Sequence, residues 1–235
     1  MRQIVLDTET TGINPEDGHR IIEIGCVEMV NRKLTGNTYH QYINPDREVE
    51  AEAIEVHGIT NEFLADKPKF NDVVDDFLAF IEGAELIIHN APFDVGFMDH
   101  EFGLCGRGLP KTHDVCGVID SLDLARKMRP GKKNSLDALC RVYNVDNSHR
   151  TYHGALLDSE ILAEVYLYMT GGQTALSLSA EEDTMNTIGQ AKIVKVDTKP
   201  PLKVYRVSAD EQRKHEAYLD LIENKSSNGA IWRQQ

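Results

Sequence analysis

Two carboxylates stand two residues apart near the start of the chain, in Asp7-Thr8-Glu9-Thr10-Thr11-Gly12. The apolar run Ile4-Val5-Leu6 leads into them and a Gly/Thr-rich turn follows, which predicts a short buried strand. Side chains alternate faces along a strand, so Asp7 and Glu9 project from the same side. Carboxylates that close repel, and one keeps its proton unless a cation cancels the charge. Hard oxygen ligands with no cysteine nearby call for Mg²⁺ or Mn²⁺. Alone, an acid pair of this spacing is short and common, and more often a solvated strand end than a site. Its meaning depends on whether other carboxylates return to it.

Two do. Asp94 follows the compact apolar strand Glu85 to His89, in the first turn of a predicted helix. The carboxyl end of a buried strand is where α/β sheets place ligands. Asp158 lies one turn into the last long predicted helix, five residues after His153. Five helical residues turn through ~500°, so both could not share a helix face. His153 therefore belongs on the preceding loop, marked by Gly154, as a mobile group that could take a proton from water. Asp7, Glu9, Asp94 and Asp158 occupy predicted ends of two strands and two helix N-termini. Such a set would hold two divalent ions about 4 Å apart, flanking the attacking and leaving oxygens of a phosphodiester.

The elements that must position these groups run in a clear order. After the first strand come predicted strands Arg20 to Val30, with Ile22, Ile24 and Cys26 on one face, and Thr38 to Ile43, joined by a turn at Asn31 to Gly36. Helices are expected at Glu48 to His57, from Thr60, and at Phe70 to Glu82. The strand Glu85 to His89 then feeds a helix ending near Gly103. Further elements are a strand Val115 to Ile119 and helices Ser121 to Lys127, Leu136 to Tyr143 and Ala155 to Met169. Strands first, then strand–helix alternation, predict an α/β domain with a mixed sheet and helices on both faces, over residues 1–170. Residues 171–191 read as a flexible linker poor in large apolar residues. Residues 192–235 are too few for a confident core of their own. They hold a helix near Asp210 to Asn224, carrying Tyr218, Leu219, Leu221 and Ile222, expected to fold against a partner or stay partly disordered.

The chain has 235 residues and a net charge of −13. Eighteen Lys/Arg oppose thirty-three Asp/Glu before Lys199, against seven and five from Lys199 onward. That balance is unfavourable for tight duplex binding. It is compatible with a metal nuclease, in which bound ions carry the positive charge. No apolar stretch approaches the ~18 residues of a membrane span, and the start lacks a secretory pattern, so a cytoplasmic location is expected. Cys26, Cys105, Cys116 and Cys140 form no C-x-x-C pair and are expected as reduced, partly buried thiols.

Three segments together resemble the motifs of the DEDD 3′–5′ exonucleases: Asp7 to Gly12, His89-Asn90-Ala91-Pro92-Phe93-Asp94, and His153-Gly154-Ala155-Leu156-Leu157-Asp158. The spacing from His153 to Asp158 is that of the histidine subclass, and Val56-His57-Gly58-Ile59-Thr60 matches a further common segment. The resemblance spans roughly residues 3–170. It implies a ribonuclease H-like fold, a five-stranded mixed sheet with three antiparallel strands leading. It implies two Mg²⁺ or Mn²⁺ ions, with Asp7 bridging both, Glu9 and Asp158 completing one site, and Asp94 holding the other, directly or through water. His153 would deprotonate the attacking water. Thr8, His57 and Phe93 would lie near the terminal nucleotide.

The motif wording is closest to members that proofread for a replicative polymerase. That likeness implies action on a single-stranded or frayed DNA 3′ end, and a C-terminal segment that contacts the polymerase catalytic subunit in the bacterial cytoplasm, at the nucleoid. Gln173-Thr174-Ala175-Leu176-Ser177-Leu178 is similar to a sliding-clamp peptide, through Gln173, Leu176 and Leu178, although a bare linker fits it equally. A small accessory subunit on the domain stays open. The rival readings are an RNA-trimming exonuclease and a catalytically idle scaffold between polymerase and clamp.

Overall fold

A computed structural model describes residues 1–148, 152–171 and 207–225. It divides into two units, 1–177 and 178–235.

The first unit is built on a five-stranded sheet. β1 (Arg2–Thr10) pairs antiparallel with β2 (Ile21–Val30), which pairs antiparallel with β3 (Lys33–Tyr42). α1 (Ala51–His57), α2 (Asn61–Leu64) and α3 (Phe70–Ile81) lead to β4 (Glu85–Ile88), which runs parallel to β1. α4 (Ala91–Leu104) and a short α5 (Thr112–Val115) precede β5 (Gly117–Asp120), parallel to β4. α6 (Ser121–Met128), α7 (Leu136–Tyr143) and α8 (Ala155–Thr170) complete the unit. The spatial order is β3-β2-β1-β4-β5, the mixed sheet with three leading antiparallel strands that the motifs imply.

Alternation along β1 splits the core. Ile4 and Leu6 point to one face and pack with Val74 and Phe77 of α3 and Phe97 and Met98 of α4. Val5 points to the other and packs with Ile87, Leu139 of α7, and Leu162 and Val165 of α8. Each large side chain buried in this way contributes roughly 1.5–3 kcal/mol. One layer thus carries Asp94 on α4 and the other carries Asp158 on α8, and β1 lies between them.

Four boundaries differ from the sequence expectation. β1 runs past the apolar run Ile4-Val5-Leu6 to Thr10, because β2 pairs with it as far as Thr10↔Ile21. The register shifts between Glu9 and Thr10, leaving Ile22 as the extra residue of a bulge. Ile24 and Cys26 therefore join the main core while Ile22 packs with Val49, Ile59 and Leu64. β3 begins at Lys33, not Thr38, because Asn31 and Arg32 have φ of 50° and 64° and close a two-residue hairpin. α1 starts at Ala51, not Glu48. Val115 ends α5 instead of opening β5; the Asp114 carboxylate accepts the Lys111 N–H at 3.2 Å and starts that turn of helix.

In the second unit α9 (Ala209–Lys225) covers the expected C-terminal helix. Leu219 is buried, while Tyr218 and Leu221 are exposed. Cys26, Cys116 and Cys140 are buried and Cys105 is partly buried. Among the described residues no helix is long and apolar enough to cross a membrane. The expected linker and clamp peptide, with Gln173, Leu176 and Leu178, lie outside the described residues.

Candidate active site

β4 ends at Ile88, and its pairing with β1 stops at Val5↔Ile87. Beyond that point β1 has β2 on one side only, and Asp7, Thr8 and Glu9 border an open cleft. The chain leaves β4 through Asn90, which adopts φ 74°, and enters α4 with a proline in its first turn. This sharp exit brings Asp94 back to the strand. Thr8, on the face opposite Asp7 and Glu9, meets it: the Thr8 hydroxyl and backbone N–H both donate to Asp94 Oδ1, at 2.7 and 3.1 Å. Asp94 is only 3% exposed. Burial pushes its carboxyl up to about 7, against the opposing pull of the Thr8 bonds.

From the other layer comes Asp158, in the first turn of α8 and buried. His153 stands on the loop before that helix, as expected, with its Nδ1 3.2 Å from Asp158 Oδ2. Its backbone is not loose: the His153 N–H donates to the Val56 carbonyl at 3.1 Å. Glu9, His153 and Asp158 bring one donor atom each within 4.8 Å of one another. The end of β1 and the start of α8 thus offer two carboxylates and an imidazole to one point, with no thiolate. That donor set fits a hard divalent cation. A desolvated Asp94 carboxyl nearby, held neutral to about pH 7 in the absence of a cation, fits the same requirement.

Asp7, Thr8, Glu9, Phe93, Asp94, His153 and Asp158 all line one cleft of about 650 Å³. His57 does not line it. It borders an adjoining hollow of about 280 Å³ that shares Thr8, Glu9 and Phe93 with the cleft. His57 Nδ1 accepts the Ile59 N–H at 3.0 Å, and burial lowers the ring's pKa, so the imidazole is neutral and its proton sits on Nε2. Three further lining residues carry no motif in the sequence. Arg126 of α6, Lys132 and Asn134, two cations and an amide, line the same cleft as the acids. Arg129 braces that loop through the Asn134 side chain at 3.1 Å. The available signal was the four-residue spacing of Leu122 and Arg126 on a helix capped by Asp120, which turns both toward the cleft. His89 also lines the cleft, with Nδ1 2.9 Å from the Ser121 hydroxyl. Burial lowers its pKa as well.

The exonuclease family profile matches residues 4–166. Over 237 residues the chain is 58% identical to the DNA polymerase III subunit epsilon of Salmonella typhimurium, covering 99% of this chain and 97% of that one. The chain belongs to the exonuclease family, in its DNA polymerase III epsilon group. The Escherichia coli K12 epsilon subunit is 56% identical over 237 residues, with the same coverage. Among solved structures, exonuclease X in complex with 5′-overhanging duplex DNA is 28% identical with a TM-score of 0.57, covering 72% of this chain and 91% of that one. The nuclease domain of 3′hExo, a DEDDh family member bound to rAMP, shares the fold at 20% identity and a TM-score of 0.62, over 72% of this chain and 90% of that one. The match to these epsilon relatives runs beyond residues 4–166, over 99% of this chain.

Proposed function

We propose that this exonuclease proofreads for a replicative DNA polymerase, removing mismatched deoxynucleotides from the primer 3′ end by phosphodiester hydrolysis. The observation that carries the reading is the meeting of Glu9, His153 and Asp158 within 4.8 Å, in a cleft that Asp7, Asp94, Arg126 and Lys132 also line.

Asp7, Glu9, Asp94 and Asp158 would hold the two divalent ions. Bound there, Mg²⁺ or Mn²⁺ would polarise the attacking water and neutralise charge on the scissile phosphate. With Nδ1 directed at Asp158, His153 Nε2 is the nitrogen that takes the proton from water. Phe93 offers a ring on which the terminal base stacks, and Thr8 and His57 flank the same nucleotide. Arg126 and Lys132 face phosphates upstream of the cut.

The family grouping supports a polymerase complex as the working context. In this reading residues 171–191 tether the domain and residues 192–235 dock on the polymerase catalytic subunit, with Tyr218 and Leu221 of α9 offering exposed apolar surface. A sliding clamp contact through Gln173, Leu176 and Leu178, and a small accessory subunit on the domain, belong to the same proposal. So does a cytoplasmic location at the nucleoid. The test is Mg²⁺-dependent release of nucleotides from a labelled 3′ end by the purified chain. Asp7→Ala is expected to abolish it, and unchanged hydrolysis in that variant means the site is misassigned.

A further inference from the structure

A buried acid outside the cleft holds the helix that carries Asp158. Glu23 lies on β2 directly opposite Glu9 on β1, and its side chain is 3% exposed. Residues directly opposite on paired strands share a face, so these two acids sit side by side. Their partners differ. Glu9 belongs to the cluster with His153 and Asp158. Glu23 Oε1 lies 2.7 Å from His40 Nε2 on β3, and Glu23 Oε2 accepts the Ala155 backbone N–H at 3.1 Å.

Ala155 is the first residue of α8, and the preceding Gly154 supplies no side-chain cap. A helix N-terminus leaves N–H donors unsatisfied and carries partial positive charge. Glu23 meets both needs from a neighbouring strand. Two residues along β2, a Cβ on Gly25 would come within 2.1 Å of Leu156 N and 2.2 Å of Ala155 C. Only glycine lets the helix start rest on the strand, and the Ser159 hydroxyl donates to the Gly25 carbonyl at 2.9 Å to hold it there.

We propose that Glu23 is a positioning residue for the hydrolytic reaction: through the Ala155 N–H it sets the separation between Glu9 on the strand and the His153–Asp158 pair at the start of α8. Glu23 is fixed beside Glu9 by strand register, so its bond to Ala155 ties the two halves of the cluster together. His40 orients the carboxylate from β3. The proposal rests on the exonuclease reading of the cleft.

The test compares Glu23→Gln, Glu23→Asp and Glu23→Ala in the full chain. Gln keeps an acceptor at the same reach without the charge; Asp keeps the charge but withdraws it by one methylene. Misplacing a catalytic group by an ångström costs about 100-fold, so Glu23→Asp and Glu23→Ala should lower kcat on a 3′-mismatched oligonucleotide by about 10- to 100-fold, with KM for DNA within about twofold. Glu23→Gln should recover kcat to within about threefold of wild type. His40→Ala should add nothing when combined with Glu23→Ala. Mn²⁺ binding by calorimetry gives a second readout, expected to weaken about 10-fold or more in Glu23→Asp and little in Glu23→Gln. Glu23→Asp with wild-type kcat and Mn²⁺ affinity overturns the proposal, as does a loss confined to the thermal midpoint. Should wild type bind Mn²⁺ but cut no 3′ end, the exonuclease reading fails while the binding comparison still decides the role of Glu23.

Discussion

Thr8 spends both of its donors on a single oxygen of Asp94: hydroxyl and backbone N–H reach Oδ1 at 2.7 and 3.1 Å. Thr8 lies between Asp7 and Glu9, so this pair of bonds fastens α4 to the acid-bearing strand. Thr8→Val removes the hydroxyl and keeps the branched shape. Losing one donor to a carboxylate of this kind should raise the Mg²⁺ needed for half-maximal hydrolysis and cut activity about 10-fold. A Mg²⁺ titration of wild type and variant measures it, and identical curves would count against the role of this bond.

Asp94 also makes the metal-free fold sensitive to pH. Its carboxyl is pushed from about 3.8 to about 7 by burial. Between those values the folded chain binds more protons at this site than the unfolded chain. Its contribution is therefore neutral below about pH 4 and becomes destabilising as pH rises to about 7, by an amount on the order of a few kcal/mol. Other acids titrate as well, so the readout is the difference between wild type and Asp94→Asn. In chelator, the Asn variant should gain in relative thermal midpoint as pH rises from about 4 to about 8. Mg²⁺ should stabilise wild type most at the upper end. A difference independent of pH would show that Asp94 does not titrate in this range.

His153 is half exposed, at 47%, and touches Asp158 through Nδ1. Its removal should cost chemistry and not the fold. His153→Ala is expected to lower kcat by about 10²- to 10⁴-fold, the usual contribution of a positioned base, with the thermal midpoint little changed. Rate and melting measured on the same sample separate the two effects.

The two cleft cations should act on binding. Arg126→Ala and Lys132→Ala are each expected to raise KM for single-stranded DNA and to reduce the salt slope of binding by about 0.7, with kcat retained. A fall in kcat at unchanged KM would assign these residues to the chemistry instead.

The tether reading predicts that a chain ending after Thr170 still degrades single strands but no longer co-elutes with the polymerase subunit. Retained co-elution would place the contact on the nuclease domain.

Much of this site was legible in the residues themselves. That Asp7, Glu9, Asp94, His153 and Asp158 line one cleft was readable because holding a divalent ion would restrict residue type and because their neighbours, such as Gly12, Pro92 and Gly154, mark where strands stop and helices start. His57 was readable by motif, but only the fold shows that it borders the adjoining hollow and not the cleft itself. Lys132 was not readable, since a loop cation has no period and resembles any solvated charge, and Arg126 left only its four-residue spacing from Leu122. Glu23 shows why context decides. In sequence it is a polar break in an apolar strand; its meaning comes from Ala155, 132 residues later. The β3 boundary misled for a local reason. The expected turn ran from Asn31 to Gly36, but the hairpin closes at Asn31-Arg32, where an arginine accepts a positive φ.

The most direct test of the central claim is a comparison of three substrates under one Mg²⁺ condition: DNA with a mismatched 3′ end, the same DNA fully matched, and RNA of the same sequence. Proofreading predicts fastest release from the mismatched DNA end, slower release from the matched end, and slowest release from RNA. Preference for RNA, or equal rates on all three, would contradict it.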